Sequence, residues 1–467
     1  MRILIFLLLA SKSWLLPAAP PNLVFLLADD MRADTIAALG NRHIRTPHLD
    51  RLVREGTAFG RAYIMGSMQG AVCVPSRAMM MSGRPLFSVS SALKDTVTWP
   101  MTLRGGGYET FGCGKWHNGA ASFAATFPNG RSVFLGGMAD PFKLPVQDVG
   151  PGGKMVNPRT NEAHSSVLFA GQAAAFLREQ KGASKPFALY VAFTAPHDPR
   201  RAPAEFHAQS NAAKPPLPGN FLPEHPFNNG EMTVRDEQLL PWPRTAEAVR
   251  QELADYYAVI THLDSQIGVV LDALQATGRA GETVVIFAAD NGLALGSHGL
   301  MGKQNLYEHS MRVPLIIGGP GLPKGRTTDA LCYLFDLFPT LCELAQVRVP
   351  ASVQGRSLLP VLKEGKAVFR ESIFTAYSAE QRALTGDRYK LIRYTHINKS
   401  QLFDLKSDPQ ETRDLAAEPA HQARLAAMMQ GLGEAQKRYA DARPLSTDTP
   451  APLRVPLQKP PRGKGGD

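Results

Sequence analysis

The sequence predicts an α/β protein, a large mixed, mainly parallel sheet flanked by helices, with a smaller C-terminal antiparallel α+β subdomain. Short apolar runs recur along the chain, and several stop at polar residues. They alternate with helical patterns, as strands of a parallel sheet do. From about Phe374 the texture changes to short alternating runs with turns (RALTGDRYKLIRY, SQLFDLKSDPQ). The composition, 44% hydrophobic and 20% charged over 467 residues, excludes a disordered, collagenous or disulfide-framework chain.

The N-terminus comes first. Arg2, the apolar run from Ile3 to Ala10, and Ala18 and Ala19 before Pro20-Pro21 read as a secretory signal over 1–19, interrupted by Lys12. The competing reading is a buried first strand. No later apolar run approaches the roughly 20 residues that span a bilayer. The expectation is an exported protein, periplasmic or extracellular, without a transmembrane segment.

A catalytic α/β domain is expected over 20–373. Its first strand is Asn22 to Ala28, ending at Asp29-Asp30; a second, Tyr108 to Cys113, leads to Lys115 and His117. A third, Phe187 to Phe193, runs into Pro196-His197-Asp198-Pro199, and a fourth, Thr283 to Ala289, stops at Asp290-Asn291-Gly292. A further strand, Val313 to Ile317, precedes Gly318-Gly319. Between the third and fourth, apolar residues at three- and four-residue spacing predict an amphipathic helix over 254–277, closed by Gly278. The Pro- and Gly-rich segments 118–158 and 199–243 read as long excursions and candidate pocket walls. The antiparallel subdomain is expected over 374–445, and 446–467 reads as a disordered tail.

The formal charge is +10, and Arg2 with Lys12 accounts for two of it. The tail carries a further net two, which leaves +6 on the folded body. No nucleic-acid reader motif accompanies this excess. Attraction of small anionic substrates into a basic cleft is the simpler reading. Of the four cysteines, Cys332 and Cys342 lie in the stretch LCYLFDLFPTLCELAQ, which reads as helical. Ten helical residues span about 15 Å, too far for a disulfide. Cys113, Cys332 and Cys342 are expected to be free thiols.

In open parallel sheets, ligands bind beyond the carboxyl ends of the strands. Four such ends here carry carboxylates, an amide, a lysine and two histidines. Asp29-Asp30 and Asp290-Asn291 together offer oxygen donors that suit a hard cation, Ca²⁺ or Mg²⁺. Taken singly, each pair also suits a turn or a helix cap. In Cys73-Val74-Pro75-Ser76-Arg77, Pro75 is placed at the start of a helix running to Met81. Cys73 then sits at its positive end, and Arg77 lies one turn along the same face, an arrangement that holds an anion.

At these residues the sequence resembles a known family. CVPSRAMMMSGR, Cys73 to Arg84, looks like the signature of the type I (formylglycine-dependent) sulfatases of the alkaline phosphatase superfamily, with Ser82 where Thr is common. GYETFGCGKWH, ending at His117, resembles that family's second signature. LADD at Asp29-Asp30, PHDP at His197, DNG at Asp290, GKQNLYE with Lys303, and LFDLKSDPQETRDLA follow in family order over nearly the whole chain.

The resemblance implies an alkaline phosphatase-like fold and a sulfuric ester hydrolase, in which a formylglycine-generating or sulfatase-maturating enzyme oxidises Cys73 to formylglycine. The hydrated aldehyde would attack sulfur and later expel sulfate. Asp29, Asp30, Asp290, Asn291 and modified Cys73 would bind the cation, Ca²⁺ by family habit with Mg²⁺ as the other option. Arg77 would support the diol and His117 would take its proton. Lys115 and Lys303 would hold sulfate oxygens, and His197 would serve the leaving oxygen. His298 and Arg32, near the site in sequence, are candidate substrate contacts, equally readable as structural.

These roles also follow chemically, because fixed cations neutralise developing charge and His suits proton transfer near neutrality. The implied substrate is a sulfated small molecule or glycan, with a sulfated carbohydrate fitting an exported enzyme. The competing functions are a phosphonate monoester or phosphodiester hydrolase of the same superfamily, and a non-catalytic sulfated-glycan-binding protein with Cys73 unconverted.

Overall fold

A computed structural model describes residues 19–365 and 367–457; most of the expected signal segment lies outside them. Its centre is a ten-stranded mixed sheet. In chain order the strands are β1 (Asn22–Asp29), β2 (Gly56–Phe59), β3 (Glu109–Lys115), β4 (Asn129–Phe134), β5 (Pro145–Val149), β6 (Met155–Thr160), β7 (Phe187–Pro196), β8 (Thr283–Ala289), β9 (Leu315–Gly318) and β10 (Arg326–Thr328). They lie side by side as β10-β2-β9-β8-β1-β7-β3-β4-β5-β6. The central strands β8, β1, β7, β3 and β4 run parallel. β9 pairs antiparallel with β8 and with β2, and β5 antiparallel with β4 and β6.

The central strands are apolar throughout because both faces are covered, and every residue of β1 is buried. Successive strand residues point to opposite faces. Phe111 of β3 stacks on Phe176 of the helix Ser165–Glu179, whereas its neighbour Gly112 backs onto the Phe127 ring. On the Gly112 side, Phe25 and Tyr190 stack and meet Trp99. The expected amphipathic helix runs from Ala246 to Ala276, starting eight residues before its predicted beginning, with Thr245 as N-cap.

Three expectations need correction here. Segment 118–158 is not an excursion: it forms the helix Ala120–Thr126 and strands β4 and β5. Its Gly130 serves packing, since a Cβ there would come within 2.4 Å of the Phe123 ring. The run Val313 to Ile317 is broken at Pro314, which has no N–H to give a ladder. Arg312–Val313 pairs with Ala62–Tyr63, and only Leu315–Gly318 joins the main sheet, antiparallel to β8. The stretch holding Cys332 is likewise not one helix, because Cys332–Tyr333 is a strand and the helix is Leu337–Leu344. The four cysteines are free and buried, as expected for Cys113, Cys332 and Cys342.

After Ile373 the chain forms β11 (Ile373–Tyr377), β12 (Gln381–Thr385), β13 (Tyr389–Tyr394) and β14 (Lys399–Asp404), an antiparallel meander. Gly66–Ser67, just upstream of Cys73, adds a parallel edge strand to β11. Segment 199–243 remains largely irregular, with the helix Ala204–Ala213 and the turn Arg235–Leu239. Where a tail was expected, the backbone N–H of Ala451 donates to His396 O at 2.8 Å, and that of Asn228 to Leu453 O at 2.7 Å. Residues 458–467 lie outside the described residues.

Candidate active site

Four neighbouring parallel strands deliver the site. β1 ends at Asp29, β3 at Lys115, β7 just before His197 and β8 just before Asp290, the crevice where parallel sheets bind ligands. Consecutive Asp29 and Asp30 converge because Asp30 adopts φ 64°, turning the chain out of the strand. The N–H of Asp30 then donates to Asp290 Oδ1 at 3.0 Å. Gly114 holds β3 against β7: at φ 97° its Cβ position lies 1.9 Å from Ala192 O, so a side chain is excluded. Cys73 opens the helix Cys73–Ser82 and is 1% exposed.

Around Cys73 the charged groups interlock. Its Sγ lies 3.2 Å from His117 Nδ1 and 3.8 Å from Lys115 Nζ. Lys115 also pairs with Asp29. Arg77 Nε donates to Asp290 Oδ2 at 2.8 Å, its NH1 to Lys115 O at 2.6 Å, and its NH2 lies 3.7 Å from Asp29 Oδ1. Lys303 Nζ spans both oxygens of Asp30 at 2.7 and 2.8 Å. His197 Nε2 is 3.6 Å from Asp30 Oδ2. Three carboxylates, Asp29, Asp30 and Asp290, thus face three cations, Arg77, Lys115 and Lys303, all buried.

Burial would raise the Asp29 carboxyl, but the charges of Lys115, His197 and Arg77 hold it below its ordinary value. Asp290 is pushed up by burial and by Asp29, against Arg77 and the lysines. Burial pushes the Cys73 thiol up to about 11 despite Lys115 and Lys303. An unmodified Cys73 is therefore a protonated thiol at neutral pH, unlike an activated thiolate. Burial, then Lys115 and Arg77, push His117 down to about 3, which leaves it a neutral proton acceptor.

The donor set fits a cation. One ligand atom each from Asp29, Cys73 and Asp290 lies within 4.8 Å of the others. Asp29 Oδ1 and Asn291 Oδ1 are buried without a hydrogen-bond partner. The amide of Asn291 donates to Asp30 Oδ1 and Gly292 O, which leaves its oxygen unused. Orphaned buried oxygens beside carboxylates suit a hard divalent ion.

His298 is held elsewhere. Its ring stacks on Tyr307 with centroids 3.9 Å apart, and Nε2 lies 3.1 Å from Asn220 Nδ2. Arg32 bonds to Asp34, Leu293 O and Ala294 O. Among the described contacts neither reaches the Cys73 cluster.

Sequence reasoning missed Tyr256, whose hydroxyl donates to Asp30 O at 2.7 Å and accepts from Arg32 N at 2.9 Å. It also missed Ser76, whose hydroxyl donates to Asp290 O at 2.5 Å. Tyr256 lies inside the predicted helix, and only packing tells which of two adjacent tyrosines turns toward the metal-site loop.

Residues 21–347 match the family model described as Sulfatase. The chain belongs to the sulfatase family. Residues 296–438 match a second model, N-sulphoglucosamine sulphohydrolase, C-terminal. An N-acetylglucosamine-6-O-sulfatase of Bacteroides thetaiotaomicron is 27% identical, over 92% of this chain and 88% of that one. An arylsulfatase of Clostridium perfringens is 28% identical, over 87% and 92%. Among solved structures, a protein in complex with its substrate D-glucosamine-2-N,6-O-disulfate superposes with a TM-score of 0.78 at 24% identity, covering 91% of this chain and 99% of that one. This sulfatase is a sulfuric ester hydrolase with the large mixed sheet and smaller C-terminal antiparallel sheet of its neighbours. No helix among its described residues is long and apolar enough to cross a membrane.

Proposed function

We propose that this sulfatase is exported and removes sulfate from a sulfated carbohydrate, with Cys73 acting as formylglycine after oxidation by a maturation enzyme. The observation that carries the reading is the meeting of Cys73 with Lys115 and His117, beside the Asp29-Asp30 pair to which Lys303 and His197 turn. The high thiol pKa supports it, because an unconverted Cys73 would be a weak nucleophile here. Two of the proteins named above, the N-acetylglucosamine-6-O-sulfatase and the one in complex with a disulfated glucosamine substrate, support the carbohydrate.

Asp29, Asp30, Asp290 and Asn291 would hold the cation, taken as Ca²⁺. Bound there, it would supply charge to lower the pKa of an oxygen nucleophile and to draw in sulfate. The chain's own residues do the rest. Lys115 and Lys303 hold sulfuryl oxygens as point charges. Arg77, tied to Asp290 and Lys115 O, keeps the end of its helix in register with β3 and β8. His117 Nδ1 receives a proton from the group on Cys73, and His197 hydrogen-bonds the departing oxygen.

The test has two arms. Peptide mass measurement at Cys73, on protein from its native host, should show the aldehyde. Wild type should hydrolyse 4-nitrophenyl sulfate in preference to an aryl phosphodiester, and Cys73→Ala should not. Lys303→Ala should cost roughly 10²–10³ in kcat, the loss typical of one preorganised electrostatic contact. Unmodified cysteine throughout, or a phosphodiester preference, would overturn the reading.

A further inference from the structure

The turn Arg235–Leu239 belongs to the irregular segment between β7 and the long helix Ala246–Ala276. Three consecutive side chains of this turn reach both loops that carry the leaving-group and sulfate contacts. Arg235 forks onto Asp198, NH1 donating to Oδ1 at 2.9 Å and NH2 to Oδ2. NH1 also donates to Asp236 Oδ1 at 3.1 Å. Asp236 Oδ2 accepts from Gln304 Nε2 at 2.8 Å, and Gln304 Oε1 accepts from the N–H of Lys303 at 2.9 Å. Glu237 accepts from the N–H of Met301 at 2.9 Å and of Gly302 at 2.8 Å, and pairs with Arg244.

The other end of the chain of contacts is His197. Its Nδ1 lies 2.8 Å from Asp198 O and 3.4 Å from Asp198 Oδ1. With Nδ1 donating to Asp198, Nε2 faces the Cys73 cluster, 3.6 Å from Asp30 Oδ2, and the hydrogen it would offer a departing oxygen is the one on Nε2 of a ring that carries hydrogen on both nitrogens. A two-pronged arginine contact fixes the plane of a carboxylate as well as its place. Here that carboxylate is the one against the histidine ring. Arg235 keeps its outer edge exposed, at 48% of the side chain, and its described ion pairs are with Asp198 and Asp236, not with the carboxylates around Cys73.

We propose that Arg235 is a positioning residue, holding His197 through Asp198 so that Nε2 meets the departing oxygen, while Asp236 and Glu237 tie the same turn to the Lys303 loop. This rests on the sulfate-ester reading above. Departure of a weakly basic phenol needs little help from His197, whereas a strongly basic one depends on its hydrogen bond. Loss of Arg235 should therefore fall unevenly across leaving groups.

The experiment measures kcat/KM for substituted phenyl sulfates from 4-nitrophenyl to unsubstituted phenyl, in wild type, Arg235→Ala, Arg235→Lys and Asp198→Asn. The expected result is a loss in Arg235→Ala at least about tenfold larger for phenyl sulfate than for 4-nitrophenyl sulfate, a part of the 10²–10⁴ such proton-donating contacts supply. Arg235→Lys, which keeps the charge without the fork, should recover part of it. Asp198→Asn should show the same unevenness, and the double variant should add little, because both act along one route. An equal loss across the series, no loss, or full additivity would overturn the proposal. A wild type inert toward every phenyl sulfate would instead overturn the sulfatase reading beneath it. Thermal midpoints of all variants separate these outcomes from misfolding, and Asp198→Asn tests the route if Arg235→Ala does not fold.

Discussion

Lys115→Met removes an ammonium that is fully buried against Asp29. Asp29 then keeps the charge of His197 and of Arg77, whose NH2 lies 3.7 Å away. Breaking a buried ion pair by deleting one partner costs about 3–5 kcal/mol. Proton uptake sets an independent bound. Neutralising an ordinary aspartate, with pKa near 3.9, costs roughly 4 kcal/mol at pH 7 and about 1–2 kcal/mol at pH 5. The stranded carboxylate can lose no more than that before it takes a proton. The direction agrees: the wild-type Asp29 carboxyl is held below its ordinary value, so its contribution is present above the unfolded pKa and is lost on acidification. The variant lacks this contribution, and the two proteins converge as pH falls. Urea unfolding in EDTA should give a gap of about 4 kcal/mol at pH 7, shrinking to about 1–2 kcal/mol at pH 5. Added Ca²⁺ should raise the variant's midpoint more than the wild type's, because it restores charge beside Asp29. A gap of equal size at both pH values would refute the reasoning.

Asn291→Ala removes an unpartnered oxygen from the proposed cation site and should shrink the Ca²⁺-induced rise in thermal midpoint, above an EDTA midpoint lowered by loss of the hydrogen bonds to Asp30 Oδ1 and Gly292 O; an undiminished rise would exclude Asn291 as a ligand. Gly114→Ala forces a Cβ within 1.9 Å of Ala192 O at φ 97° and should cost more than roughly 3 kcal/mol, read as insoluble or low-melting protein. Burial pushes the Asp264 carboxyl up to about 6, although it accepts from the N–H groups of His48 and Leu49. The folded state therefore holds this proton more tightly than the unfolded one, and stability falls as pH rises from about 4 to about 6. Asp264→Asn should flatten that segment of the urea-midpoint profile, and an unchanged slope would refute the assignment.

The strand ends were legible because each apolar run of a doubly covered sheet stops where the chain leaves the sheet for the polar crevice beyond it, and Asp29, Lys115 and Asp290 mark those stops. The Asp29-Asp30 and Asp290-Asn291 pairs and the Cys73 helix could be placed for the same reason, since each is defined by local spacing. Segment 118–158 could not. Gly130 looks like a breaker in the sequence, but it is a glycine because Phe123 fills the space over it. The order β9-β8-β1 was equally hidden, since antiparallel addition at β8 depends on where Pro314 divides its run between two sheets.

By itself the sequence determined the chemistry: which residues carry charge, which can ligate a hard cation, and that their strands belong to one mainly parallel sheet. The tertiary structure decided which of these groups meet. His298 and Lys303 are five positions apart, yet only Lys303 reaches Asp30, while His298 is locked under Tyr307. Arg235 carries no sequence signal, and it bears on the site because an irregular segment folds back over the strand ends and pairs it with Asp198. Local pattern fixes what a residue can do over one turn or one strand. Contact across the sheet is set by packing of the whole chain, in which segments far apart in sequence compete for the same few ångströms.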